Sequence, residues 1–490
     1  MKINISRNFL HKTCIVLFII LLANTLTFSS NNFPQASAMD GLIPRLEPTQ
    51  HISSNPNLYV SAENPLFNNY FAGPQVIEVS VSDPDINRLD QAYGEPVVTI
   101  NGKRLRMAQA TDGNWYAYFA DRNQAITAAN TVALTGKGLN FGGFCDSTST
   151  FSPMSGVTFT ETKGFTLARG GFGSVNHTST FTITPSNLGA CTNIQGTLTT
   201  NQMEHVVRQN KTLNSNPSGF NAAHSTYPQV WPIIQLFDFS SIPSSVTIDY
   251  QKNGGDQIVN LIFDRISGKL IKAIANRPDF PQGAQVQADL IDPQLNIDPT
   301  EEDSWTWGTS TTNNTVFYQA FSRNGAPDAD GTLGMQNLSG NLTSMMFNHN
   351  GRLTIIPRPQ GVQVVEAQIN GIQKVFQDSN GRYRTESISS LSGPITLLEI
   401  QPNVGIFSDY DAGGIADLKI LDNAKRDTSV IAKYNDISYS VVVKFHTATL
   451  TMGWPATQTS TNTDYTNQPK EQPTFISFMK EFFLEWIHRS

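Results

Sequence analysis

The chain carries 33 basic and 40 acidic side chains in 490 residues, a net charge of −7, with only 15% of its positions charged. An acidic balance disfavours a nucleic-acid partner and favours cations or basic surfaces. Low charge with 35 glycines and 26 prolines argues against helical bundles and predicts an all-β chain with long turns, in two to four domains of about 100–200 residues.

Residues 1–38 read as a secretory signal: Lys2, Arg7 and Lys12 precede the apolar run Thr13–Ala23, and Ala36-Ser37-Ala38 offers a cleavage site. That run is too short to span a bilayer, so no transmembrane segment is expected after cleavage. Residues 39–72, rich in Pro and Asn and without periodicity, read as an arm. A first β unit, 73–266, opens with the alternating strand Val76–Val81 and continues through the hairpin Val97–Ile100/Arg104–Met107. Asn101-Gly102 between them is the dipeptide that best suits a type I′ turn. Asp112-Gly113 then turns into the aromatic strand Asn114–Phe119, and Gly138–Cys191 reads as a loop-heavy insertion.

With Cys14 lost alongside the signal, Cys145 and Cys191 remain. In an oxidising exterior the simplest expectation is a disulfide between them, two buried thiols being the alternative. Ser245–Tyr250 and Ile258–Phe263 form a hairpin across Asn253-Gly254-Gly255, and a matching hairpin, Ser429–Tyr434 with Val441–Phe445, closes a second β unit, 267–452. Lys419–Lys425 suggests one helical turn. Beyond a linker, 453–474, the apolar positions Phe475, Phe478, Met479, Phe482, Phe483, Trp486 and Ile487 repeat at three- and four-residue spacing, which predicts a short amphipathic helix over 475–490. It would pack on its own sandwich, dock to a neighbouring subunit or lie in a membrane interface.

Each β unit holds an Asp-Pro loop behind a strand introduced by Pro-Gln. Asp83-Pro84-Asp85-Ile86-Asn87 follows Pro74-Gln75, and Asp292-Pro293-Gln294-Leu295-Asn296 follows Pro281-Gln282 and the run Ala284–Ile291. Proline fixes its own φ and keeps the preceding aspartate extended, which holds these residues out of helices. The second loop continues through Asp298, Glu301, Glu302 and Asp303 to Trp305 and Trp307, and reads as an acidic rim. Ca²⁺ takes six to eight oxygens, which Asp, Asn and exposed turn carbonyls supply. The candidate ligands are Asp83, Asp85 and Asn87, then Asp292, Asn296, Asp298 and Asp303, then Asp328 and Asp330. Ordinary solvated turns are the competing reading. The sequons at Asn176, Asn210, Asn313, Asn337 and Asn341 mark exposed loops open to N-glycosylation.

The sequence holds no H-E-x-x-H, G-x-S-x-G, Walker A or dinucleotide glycine signature. A glycosidase would need two carboxyls flanking one bond, for which Asp83 and Asp85 are the candidates; a non-catalytic role is expected.

The chain resembles the surface-layer proteins of ammonia-oxidising archaea. The resemblance rests on Gly73-Pro-Gln with Ser82–Asn87, Asp112–Asp121, Gly142–Cys145, Tyr227–Pro232, Tyr250–Phe263, Phe280–Gln285, Ile291–Gly308, Val316–Tyr318, Gln401–Phe407 and Asp422–Tyr434. It implies tandem immunoglobulin-like β-sandwiches, a secreted glycoprotein at the cell surface, and assembly with itself or with related subunits into an acidic two-dimensional lattice. Members of that family run longer, through further sandwiches. The alternative from another class is a secreted, cation-dependent adhesin or carbohydrate-binding β-sandwich.

Overall fold

The computed structural model describes residues 55–90, 94–131, 139–148, 158–167, 191–192, 206–208, 211–214, 231–275, 280–308, 316–319, 335–347, 353–358, 360, 364–367, 374–377, 383–386, 394–409, 415–425, 427–434 and 439–444. The expected signal peptide, linker and terminal helix lie outside them, as do Asn176, Asn210, Asn313, Asp328 and Asp330. The described chain is mostly β-sheet. No helix among these residues is long and apolar enough to cross a membrane.

Strict alternation builds the first half. Along Ile77–Val81 and Trp115–Asp121, the odd positions Ile77, Val79, Val81, Trp115, Ala117 and Phe119 join one core, while Tyr116, Tyr118 and Ala120 point into another. Successive side chains of a strand leave on opposite faces, so one strand feeds two cores. These strands belong to a sheet ordered Leu58–Val60, Ile77–Val81, Trp115–Asp121, Ile233–Phe237, Phe165–Leu167, Gly143–Cys145, Cys191–Thr192, with Ala108–Gln109 also paired to Trp115–Asp121. A five-stranded sheet faces it, ordered Tyr70–Phe71, Gln257–Phe263, Ser244–Gln251, Val97–Ile100, Lys103–Leu105. Between the two sheets lie Val98, Ile100, Val246, Ile248, Val259 and Leu261. Each such fully buried aliphatic side chain contributes about 1.5–3 kcal/mol.

The Asn101-Gly102 turn forms as expected, with φ of 50° and 76°, both positive as a type I′ turn requires. The hairpin Ser244–Gln251/Gln257–Phe263 pairs in register from Ser244↔Phe263 to Tyr250↔Gln257. Other expectations need correction. The arm proposed for 39–72 is part of the sheets from Leu58 onward, because Leu58–Val60 pairs with Val79–Val81 and Tyr70–Phe71 runs parallel to Ile262–Phe263. A helix, Arg122–Ala129, follows the aromatic strand, capped by the Asp121 side chain on Gln124 N–H; its small alanine-rich face gave little periodic signal. Lys419 lies in a strand, Leu418–Ile420, which pairs with Gln285–Val286 and with Val365–Ala367, so the proposed helical turn does not form there.

In the second half, the run Ala284–Ile291 splits: Gln285–Val286 joins Leu418–Ile420, while Ala288–Ile291 joins a seven-stranded sheet. That sheet is ordered Lys272–Ala275, Ala288–Ile291, Ile406–Ser408, Pro394–Glu399, Ser304–Gly308, Val316–Gln319, Met335–Asn337. The closing hairpin, Ser429–Tyr434 with Tyr439–Lys444, pairs to Leu353–Arg358. The two halves share a core: Tyr118, Phe165 and Trp231 cluster with Trp305, Trp307 and Tyr318. Cys145 and Cys191 are direct partners across an antiparallel pair. Asn337 ends a strand, and Asn341 is half-buried.

Candidate functional site

Both Asp-Pro loops close by the same bonds. Asp83 Oδ1 accepts from Asp85 N–H at 3.0 Å, and Asp292 Oδ1 from Gln294 N–H at 3.0 Å. Their other oxygens accept a tyrosine hydroxyl from the closing hairpin of the same half, Tyr250 onto Asp83 at 2.6 Å and Tyr434 onto Asp292 at 2.6 Å. A tryptophan indole N–H then donates to the carbonyl three residues past the aspartate, Trp115 to Ile86 at 3.2 Å and Trp305 to Leu295 at 2.8 Å. The strand order around them differs. Ile77–Val81 lies beside the Trp115 strand, whereas Ile406–Ser408 and Pro394–Glu399 intervene before the Trp305 strand. The glycine contacts differ likewise: Gly113 (φ 91°) packs where a Cβ would meet Asn87 O at 2.4 Å, and Gly405 (φ 65°) where one would meet Pro293 Cα at 2.9 Å.

The loops differ in charge balance. Lys252 Nζ sits 2.7 Å from Asp83 and 3.6 Å from the exposed Asp85. Burial alone would push the Asp83 carboxyl up, but the Lys252 ammonium and Tyr250 hydroxyl together bring it below the usual range. Asp292, fully buried, has no such cation among the described residues acting on it, and burial raises its pKa to about 7. A carboxyl raised in the fold from about 3.9 in the unfolded chain holds its proton longer when folded, so its favourable contribution is complete in acid and is lost as pH rises through about 7. Asp292→Asn is therefore expected to cost about 1 kcal/mol near pH 5, where a neutral carboxyl is replaced, and nothing or less above pH 8. Asp83→Asn should destabilise throughout that range by unpairing Lys252. Thermal melts of the two variants against pH check both; parallel curves would reject the difference.

The expected acidic rim does not exist: Asp292, Asp298, Glu301, Glu302 and Asp303 are all buried. A guanidinium without a signal in the sequence pattern serves as counter-charge to two of them, Asp298 and Asp303. Arg208, 2% exposed, donates through Nε and its own backbone N–H to Asp298 Oδ2, both at 2.9 Å. Its Nη2 reaches Asp303 Oδ1 at 2.9 Å and the Glu302 carbonyl at 3.1 Å. Tyr318 hydroxyl donates to Asp303 at 2.6 Å, and the backbone N–H groups of Ile297 and Asp298 donate to its other oxygen. Glu399 accepts from Asp303 N–H at 3.2 Å, Val404 N–H at 2.9 Å and Gly405 N–H at 2.7 Å. Burial raises Asp298, Asp303 (to about 7) and Glu399, despite the Arg208 charge beside the two aspartates.

The cluster also joins the halves. Arg208 comes from the first, its carboxylates from the second, and next to them Gln75 Nε2 donates to the Pro293 and Asn296 carbonyls at 2.8 and 2.6 Å. Val76 N–H reaches the Ile297 carbonyl at 3.0 Å. Asn296 donates to Asn403 at 2.8 Å, and Asn87 is half-buried beside Gly113. Among the described residues no three His, Cys, Asp or Glu side chains group as a metal site would need. A lone basic residue preceding a sequon gave no periodic or motif signal; only the excess of buried acid required such a partner. Comparison of the chain with protein-family models and with curated proteins finds no match.

Proposed function

We propose that the chain is a structural protein of the cell envelope, a secreted subunit or accessory subunit of an acidic two-dimensional surface layer, built from tandem immunoglobulin-like sandwiches. The observation that carries this reading is the recurrence of one loop closure, Asp-Pro with its tyrosine and tryptophan, in two β halves joined by Gln75 and Arg208. Repeated β units with a buried polar seam make a stiff tile, and the sequence resemblance over most of Gly73 to Met452 supports the same role. Interior carboxylates already engaged by Arg208, tyrosines and backbone N–H groups leave divalent cations a place between molecules, at exposed loop residues such as Asp85.

Electron microscopy of isolated envelopes with peptide mass mapping tests the proposal. An abundant lattice component supports it, and a trace soluble protein favours the adhesin or carbohydrate-binding alternative. Chelation should disperse the assembly while leaving the melting temperature of the isolated chain unchanged. A fall in that temperature would return the cation to the interior of the fold.

A further inference from the structure

Two Asn-Gly pairs lie among the described hairpin turns of the first half, and their surroundings differ. Asn101 is held at both ends of its side-chain amide: Oδ1 accepts from Thr247 N–H at 2.8 Å and Nδ2 donates to the Ser245 carbonyl at 3.1 Å. Asn253 sits exposed at the tip of the Ser244–Gln251/Gln257–Phe263 hairpin, where no hydrogen bond among the described residues engages its side chain. Ladder pairing ends at Tyr250↔Gln257, and the turn bond passes from Gly255 N–H to the Lys252 carbonyl at 3.1 Å, leaving Gly254 N–H outside it. Gly254 has open space around its Cα and φ of 104°.

We infer that Asn253 is a site of spontaneous deamidation, and that the fold protects Asn101 from the same reaction. The backbone nitrogen of Gly254 loses its proton to solvent and attacks Cγ of Asn253. A nitrogen–Cγ bond forms, the Cγ–Nδ2 bond breaks, and Nδ2 leaves with a proton as ammonia, closing a five-membered succinimide. Water then opens the ring at either carbonyl, giving aspartate or isoaspartate. The attack needs the amide carbon to swing onto the next residue's nitrogen, which glycine permits because it has no Cβ to obstruct the turn. At Asn101 the same swing first breaks two hydrogen bonds. The product places a new carboxylate one residue from Lys252, the cation that holds Asp83 in its loop.

The test is peptide mapping by mass spectrometry of the full chain aged at mildly alkaline pH, with a second sample aged in urea. In the folded protein Asn253 should convert at least about tenfold faster than Asn101, the factor that losing two ordinary hydrogen bonds implies. In urea the two should convert at similar rates. Asn253→Gln, which keeps the amide but must close a larger ring, should remove the fast signal and leave that of Asn101 unchanged. Equal rates in the folded chain, faster conversion at Asn101, or a fast signal persisting in Asn253→Gln would overturn the inference.

Discussion

Replacing Arg208 with methionine is expected to lower the stability of the fold by about 3–5 kcal/mol at neutral pH, the usual cost of removing one partner from a buried ion pair. Asp298 and Asp303 would be left buried with the tyrosine and backbone donors but no cation. Their pKa values, already raised by burial, would rise further, so the variant should take up protons on folding. Its deficit relative to the parent should therefore shrink as the pH is lowered, when neutral carboxyls no longer need the guanidinium. Arg208→Lys should recover only part of the loss, since an ammonium cannot reproduce the fork that reaches Asp298 and Asp303 together. Denaturant titrations at acid, neutral and alkaline pH measure this directly. A loss independent of pH would mean that Arg208 acts through its packing alone.

Trp305→Ala is the second large effect, about 3–5 kcal/mol, as for other fully buried tryptophans. Its ring packs against Tyr318 at 5.1 Å and Phe347 at 5.6 Å between centroids, and its indole holds the Leu295 carbonyl. Trp305→Phe separates the two contributions, because the aromatic contact survives in part while the carbonyl loses its donor, for a cost of about 1–2 kcal/mol. Trp115→Phe should cost a similar amount through the Ile86 carbonyl. If Trp115→Phe proves silent where Trp305→Phe is not, the two loop closures are alike in geometry but not in energy, and only the second supports its half.

Much of the architecture is written locally. The alternation of Ile77–Val81, the Asn101-Gly102 turn and the Ser244–Phe263 hairpin each depend on a few neighbouring residues, and each forms where the pattern places it. The recurrence of the Asp-Pro loop and of the closing hairpin was likewise legible, because both motifs repeat in the same order along the chain, whereas the bonds from Tyr250 to Asp83 and from Tyr434 to Asp292 were not, being made over long sequence separations. Nothing local distinguished a solvated acidic loop from a buried one. Five carboxylates near two prolines read as a surface rim, since isolated carboxylates are seldom buried. Burial of Asp298 and Asp303 became possible only when Arg208 and Tyr318 converged on them from other segments, and that of Asp292 when the Tyr434 hydroxyl did. Such convergence is a property of chain crossing over long sequence separations, so the sequence determined which residues carry the charge, and tertiary structure alone decided that Asp298 and Asp303 would meet a guanidinium inside the fold.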